Sequence, residues 1–232
     1  MLLWLALSAI AQNTTTTLIR QFREAQEIAK KEQLLNQLCR PGSEAGERLL
    51  QLAKATNDND TRWLAIRGLG MLKFEPAARF LIDSLASTEP YVRANAARAL
   101  GEIHYASAAD PLIHLLNNEQ DHGVIEQTSL ALRNIGAKNA VPALKAKMSV
   151  DSKQTRCWLL DAIATLGSRD DLPFIAKYLY KDSDMGGIAL CAARGMAAVT
   201  GQDFGLPKAT GLFDPSLPVM NARKYWDANG FR

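Results

Sequence analysis

The chain has 232 residues, 47% of them hydrophobic, 7% aromatic and 22% charged, with a formal net charge of +3. That is ample length for a buried core, and so small a positive charge does not by itself call for nucleic acid or an anionic membrane. Cys39, Cys157 and Cys191 show no Cys-x-x-Cys spacing and no histidine pair nearby, so the sequence calls for no metal and no cofactor.

Residues 1–11, MLLWLALSAIA, are apolar throughout and end in Ala9-Ile10-Ala11 before Gln12, the small-x-small pattern of a cleaved secretory signal. The stretch is too short to span a bilayer. It implies a periplasmic or secreted protein with no stable membrane anchor. Residues 12–57 read as an atypical N-terminal helical unit: a long charged helix from Leu18 to Leu38, stopped by Pro41-Gly42-Ser43, then a shorter helix opened by Ser43 and running to about Thr56. Asn57 to Asp60 form a turn, with Asp60 or Thr61 as the next cap.

From there one design is repeated. TRWLAIRGLGMLKFEPAARFLIDSLAS, residues 61–87, superposes on the copy that begins at Tyr91 after a slide of 31 residues. Leu69, Leu100, Leu132, Ile163 and Met196 carry the register onward in steps of 31, 32, 31 and 33. Just before each lies a small residue, Gly68, Ala99, Ala131, Ala162 and Gly195, where neighbouring helices must approach closely. Pro111, Pro142 and Pro173 fall near the starts of second helices, where a missing N–H costs nothing. A period of this size built from helix pairs is the mark of an α-solenoid. The third unit runs from about Gly123 to Ser149 and the fourth from about Lys153 to Lys181, followed by a fifth first helix from about Met185 to Val199. Residues 201–232 form an irregular segment whose short helix, Val219 to Ala228, brings Tyr225 and Trp226 to cover the open end of the stack.

The strings VRANAARALGEI, ADPLIHLL, NAVPALKAKM and DLPFIAKYL resemble HEAT-like repeats of the type named after phycobilisome lyases, over residues 58–200. The resemblance implies an all-α, right-handed α-α superhelix of stacked two-helix repeats, with second helices lining its concave face. It extends to lyase subunits, to an iron hydroxylase and to many bacterial proteins whose repeats imply only partner binding. The hydroxylase carries repeated His-Glu dipeptides as metal ligands, and this sequence has none.

No nucleophile elbow, phosphate-binding glycine loop or dinucleotide fingerprint occurs. Arg62, Arg93 and Arg156 share a repeat position near first-helix starts. Arginine there opposes its own helix dipole, so it is expected to reach an acidic group or carbonyl of the neighbouring unit. Cys157 and Cys191 fall on adjacent first helices whose axes lie roughly 8–10 Å apart, while a disulfide needs Cα atoms within about 7 Å. A bridge stays open, and small apolar packing is the favoured reading.

On the second helices the outward candidates for partner binding are Arg79, His114, Lys145, Lys147, Lys177, Tyr178 and Lys181. From Lys138 to Lys181 there are eight basic against four acidic residues, whereas Asp60 to Gln120 has six against seven. The leading expectation is a non-catalytic scaffold that binds a protein or peptide, an acidic one by this asymmetry, on the concave face. Two alternatives stand beside it: a bilin-lyase-like accessory handling a chromophore or its acceptor protein, and nucleic-acid binding through the basic face.

Overall fold

The computed structural model describes residues 14–40, 44–180, 187–206 and 214–229, all helix, turn or coil with no strand among them. The signal-like segment 1–11, the Ser43 cap and Lys181 lie outside the described residues. The chain packs as two compact units, Met1–Leu115 and Leu116–Arg232.

In the first unit, α1 (14–24), α2 (Ile28–Leu38) and α3 (Gly46–Ala55) precede the hairpin of α4 (Asn59–Met71) and α5 (Ala78–Ser84) and then α6 (Pro90–Ile103). The single helix expected from Leu18 to Leu38 is broken at residues 25–27, with Glu27 extended at φ −89°, ψ 130°. The break follows from the apolar spacing. Phe22 and Leu34, Leu35 and Leu38 are all buried, at no more than 3% exposure, and one straight helix aligns these two sets on no single stripe. The cap of α4 is Asp58, two residues before Asp60 and three before Thr61. Its carboxylate accepts from the backbone N–H groups of Asp60 and Thr61.

α7 (Ala109–Asn118) runs across the boundary between the units. The second unit continues with the hairpins α8 (His122–Ile135) with α9 (Val141–Lys147) and α10 (Lys153–Leu166) with α11 (Leu172–Ala176), then α12 (Gly187–Thr200) and α13 (Ser216–Ala228). Asp121 and Ser152 cap α8 and α10 through Val124 N and Thr155 N. α13 starts three residues before the expected Val219. It packs on α12 with Val219 and Ala222 fully buried, and the Phe204 and Tyr225 rings meet at 5.5 Å.

The repeat register is visible in the packing. Leu69, Leu100, Leu132, Ile163 and Met196 are all fully buried. A Cβ on Gly68 would come within 2.7 Å of Leu35 and 2.9 Å of Leu49; one on Gly70 would come within 2.8 Å of the Ala99 backbone. The small residues therefore set how closely α4 sits against α2, α3 and α6. Three first helices, α4, α6 and α8, end alike. Lys73, His104 and Gly136 all have positive φ, and the N–H after each bonds back to Leu69, Leu100 and Leu132. This left-handed stop satisfies carbonyls that the helix end leaves open, and it gives His104 a structural role. A short 3-10 turn then leads into each second helix, as at Glu75–Ala77 and Lys138–Ala140.

One expectation is reversed. Cys157 and Cys191 are joined in a disulfide, with Cα atoms 5.5 Å apart. The 8–10 Å axis separation assumed for ordinary side chains is too wide at this contact. Gly195 and Ala164 face each other there, a Cβ on Gly195 lying 3.2 Å from that of Ala164, so α10 and α12 approach closely enough to bridge.

Candidate functional site

The second-helix residues expected to face a partner are placed as follows. In the first unit, Arg79 is exposed and pairs with Asp83 one turn away at 3.4 Å; His114 is exposed on α7. In the second unit, Lys145 bonds to Asp171 at 2.5 Å and lies 5.2 Å from the Phe174 ring centre, which Lys177 approaches to 3.8 Å. Burial works against the Asp171 carboxylate, but the Lys145 and Ser168 hydrogen bonds outweigh it and hold its pKa below the ordinary value. Lys147 reaches back to the carbonyls of Asn117 at 3.3 Å and Glu119 at 2.8 Å. Desolvation lowers its pKa, with Glu119 opposing. Tyr178 is a correction: at 3% exposure it is buried and does not face outward. Burial raises its phenol pKa, and Arg156 partly offsets this. The structure thus brings Lys145, Lys177 and Tyr178 together around Phe174, while Lys147 ties a helix end. Of the basic residues that prompted the nucleic-acid alternative, Lys145, Lys147 and Lys177 are engaged inside the unit.

The arginine position behaves as expected in the first unit. Arg62 donates to the Thr56 carbonyl, and Arg93 to those of Ser87 and Thr88 at 2.8 and 2.9 Å. Each guanidinium therefore caps the segment that leads into its own helix.

Sequence reasoning missed three features, because each is assembled from side chains on separate helices. His122 lies between Asp151, at 3.1 Å from Nε2, and the Thr155 hydroxyl, at 3.3 Å from Nδ1; that hydroxyl donates to Glu126 at 3.0 Å. The order resembles a nucleophile relay, but Thr155 is fully buried and its proton is committed to Glu126, so the cluster is a joint between α8 and α10. Second, in the first unit α1 and α3 flank an open apolar depression of about 630 Å³ over Ile19, Leu52 and Ala55, rimmed by Arg20, Arg23 and Glu47. Third, in the second unit α8, α10 and α12 enclose a hollow of about 230 Å³ lined by Arg133, Trp158, Asp161, Arg194 and the disulfide. It lies on first helices, away from the second helices that carry the expected partner face. No cluster of three or more metal-ligating side chains occurs among the described residues, and no helix among them is long and apolar enough to cross a membrane.

A family model described as HEAT repeats matches residues 46–133. The bilin biosynthesis protein PecE of Mastigocladus laminosus is 32% identical over 158 residues, 65% of this chain and 58% of that protein. The chain is thus similar to HEAT-repeat proteins over residues 46–133 and to a bilin biosynthesis protein over 158 residues. It spans under two thirds of the curated relative's length. A solved structure of the complex of CpcE and CpcF of phycocyanin lyase from Nostoc sp. PCC7120 matches the fold with a TM-score of 0.58 at 20% identity, covering 91% of this chain and 94% of that one. The stacked-repeat fold expected from the sequence is therefore shown. The expectation that the chain catalyses nothing is overturned, because its relative is named for bilin biosynthesis.

Proposed function

We propose that this HEAT-repeat chain serves bilin attachment, holding a linear tetrapyrrole or the protein that receives it, in company with a protein partner. One observation carries the reading: 32% identity over 158 residues with a bilin biosynthesis protein. Stacked repeats supply the extended surface that such work needs. The test adds the chain to an apo-biliprotein and phycocyanobilin, with and without a candidate partner subunit. Covalent product is read by zinc-enhanced fluorescence on a denaturing gel. More adduct in the presence of the chain is the expected result; unchanged adduct together with an unchanged bilin absorption spectrum would overturn the reading.

A second reading, an exported repeat protein that binds a protein or peptide, is favoured by two features. These are the Cys157–Cys191 bridge, since disulfides persist mainly outside the cytosol, and the apolar residues 1–11. Fractionation separates the two. A mature chain beginning at Gln12 outside the cytoplasm supports export and counts against bilin attachment; an unprocessed cytoplasmic chain does the reverse.

A further inference from the structure

We infer that the hollow between α8, α10 and α12 is a binding site for a carboxylate carried on a flat ring or conjugated chain. Four observations converge on it. Arg194 lines the hollow, is exposed and has no partner among the described residues. Arg133 lines it from α8 and is held by Asp161, which uses one of its terminal nitrogens and leaves other N–H groups to donate. Trp158, half-buried, adds an indole face and an N–H with no partner among the described residues. The Cys157–Cys191 bridge forms part of the wall and holds α10 against α12, so the cavity is fixed before anything binds.

Two guanidinium groups against the single carboxylate of Asp161 leave the hollow with an excess of positive charge, so it selects an anion. Guanidinium matches the planar, two-oxygen geometry of a carboxylate. The indole and the bridge sulfurs offer a flat, polarisable surface to the rest of the ligand. Size limits the occupant. At about 230 Å³ the space falls below the roughly 300–1,000 Å³ of a pocket that swallows a drug-sized molecule whole. It takes one ring with its acid arm while any remainder stays outside. A propionate-bearing ring of a tetrapyrrole and an aromatic C-terminal residue of a peptide share this chemistry. The inference stands on the cavity alone: failure of bilin transfer leaves it intact, and failure of acid binding leaves the bilin reading intact.

The test titrates the full chain, disulfide intact, with three acids, each beside its neutral counterpart. The pairs are indole-3-propionate and its methyl ester, biliverdin and its dimethyl ester, and a short peptide ending in a free or amidated tyrosine. Calorimetry measures affinity and tryptophan emission reports contact. At least one acid is expected to bind about tenfold or more tightly than its neutral form, the worth of one charge-assisted hydrogen bond, and Arg194→Gln is expected to remove that preference. Trp158→Phe, which keeps a ring but loses the indole N–H, should weaken calorimetric binding of that acid by up to about tenfold and abolish its quenching of emission. Binding confined to biliverdin assigns the site to a tetrapyrrole, binding confined to the peptide assigns it to a chain terminus, and binding of indole-3-propionate establishes the ring-acid class itself. The inference is overturned if no acid binds at millimolar concentration, if neutral forms bind as well as acids, or if the quench survives in Trp158→Phe.

Discussion

The two units meet the same requirement, holding one helix pair against the next, with different chemistry. In the first, the joints are polar. Arg62 and Arg93 close on carbonyls of the preceding loops, and Lys31, only 5% exposed in its side chain, bonds to Asp58 at 2.5 Å and to Thr61 at 2.6 Å. In the second, the arginine position is filled by Ile125 and Ala189 in two of its three copies. The joints there are a disulfide, the reach of Lys147 to carbonyls at the end of α7, and the His122 cluster. The difference teaches that the repeat pattern dictates which residues are buried but leaves open how the seams are closed. Carbonyls at helix ends need partners, and any cation that reaches them serves.

The largest test of that contrast removes the bridge. Replacing both Cys157 and Cys191 by Ser should cost about 3–4 kcal/mol, the chain-entropy value for a loop closed by residues 34 apart in sequence. Denaturant unfolding measures the loss. Hydrogen exchange should quicken in α10 and α12 while α4 and α6 stay protected; unchanged stability would mean that packing alone closes the seam.

Next comes Lys31→Ala, which should cost about 1–3 kcal/mol by leaving a hydrogen-bonded charge without its donor. The same variant should alter acid sensitivity. Hydrogen bonds from Lys31 and then Thr61 depress the Asp58 pKa from 3.8 to about 2. A depressed carboxylate contributes stability that is fully present above its unfolded pKa and is lost as pH falls through its folded one. The first unit should therefore lose part of its stability between pH 3.8 and about 2, and Asp58→Asn should flatten that part of the curve. A variant with the parent's acid profile would break the assignment.

Arg93→Ala should cost about 0.5–1.5 kcal/mol, since it frees two carbonyls that water can partly satisfy. Thermal melts beside Arg156→Ala sharpen the comparison: Arg156, at the same repeat position, leaves its buried Nε without a partner among the described residues, so its removal should cost less. Smallest of all, Arg79→Ala breaks only an exposed pair one turn apart and should change stability by less than about 0.5 kcal/mol.

Much of this architecture can be read in the sequence because burial follows the repeat period. Leu69 through Met196 had to be inside, and the small residue before each had to sit at a helix contact, whatever the details of the seams. The arginine ties were legible for a similar reason, since a cation at the positive end of its own helix must find another carbonyl. The HEAT-like resemblance was legible in strings such as VRANAARALGEI and ADPLIHLL.

The rest was decided by side chains that come from separate repeats, where distance along the chain says nothing. Whether Cys157 and Cys191 bridge depends on how far Gly195 and Ala164 let two helices close, a matter of less than an ångström per contact. Whether Lys145 and Lys177 face solvent depends on Asp171 and the Phe174 ring folding beneath them. The Arg133, Trp158 and Arg194 hollow needs three helices in place before it exists at all. Periodicity fixes which face of a helix is apolar; only assembled neighbours determine which polar groups on the other face meet.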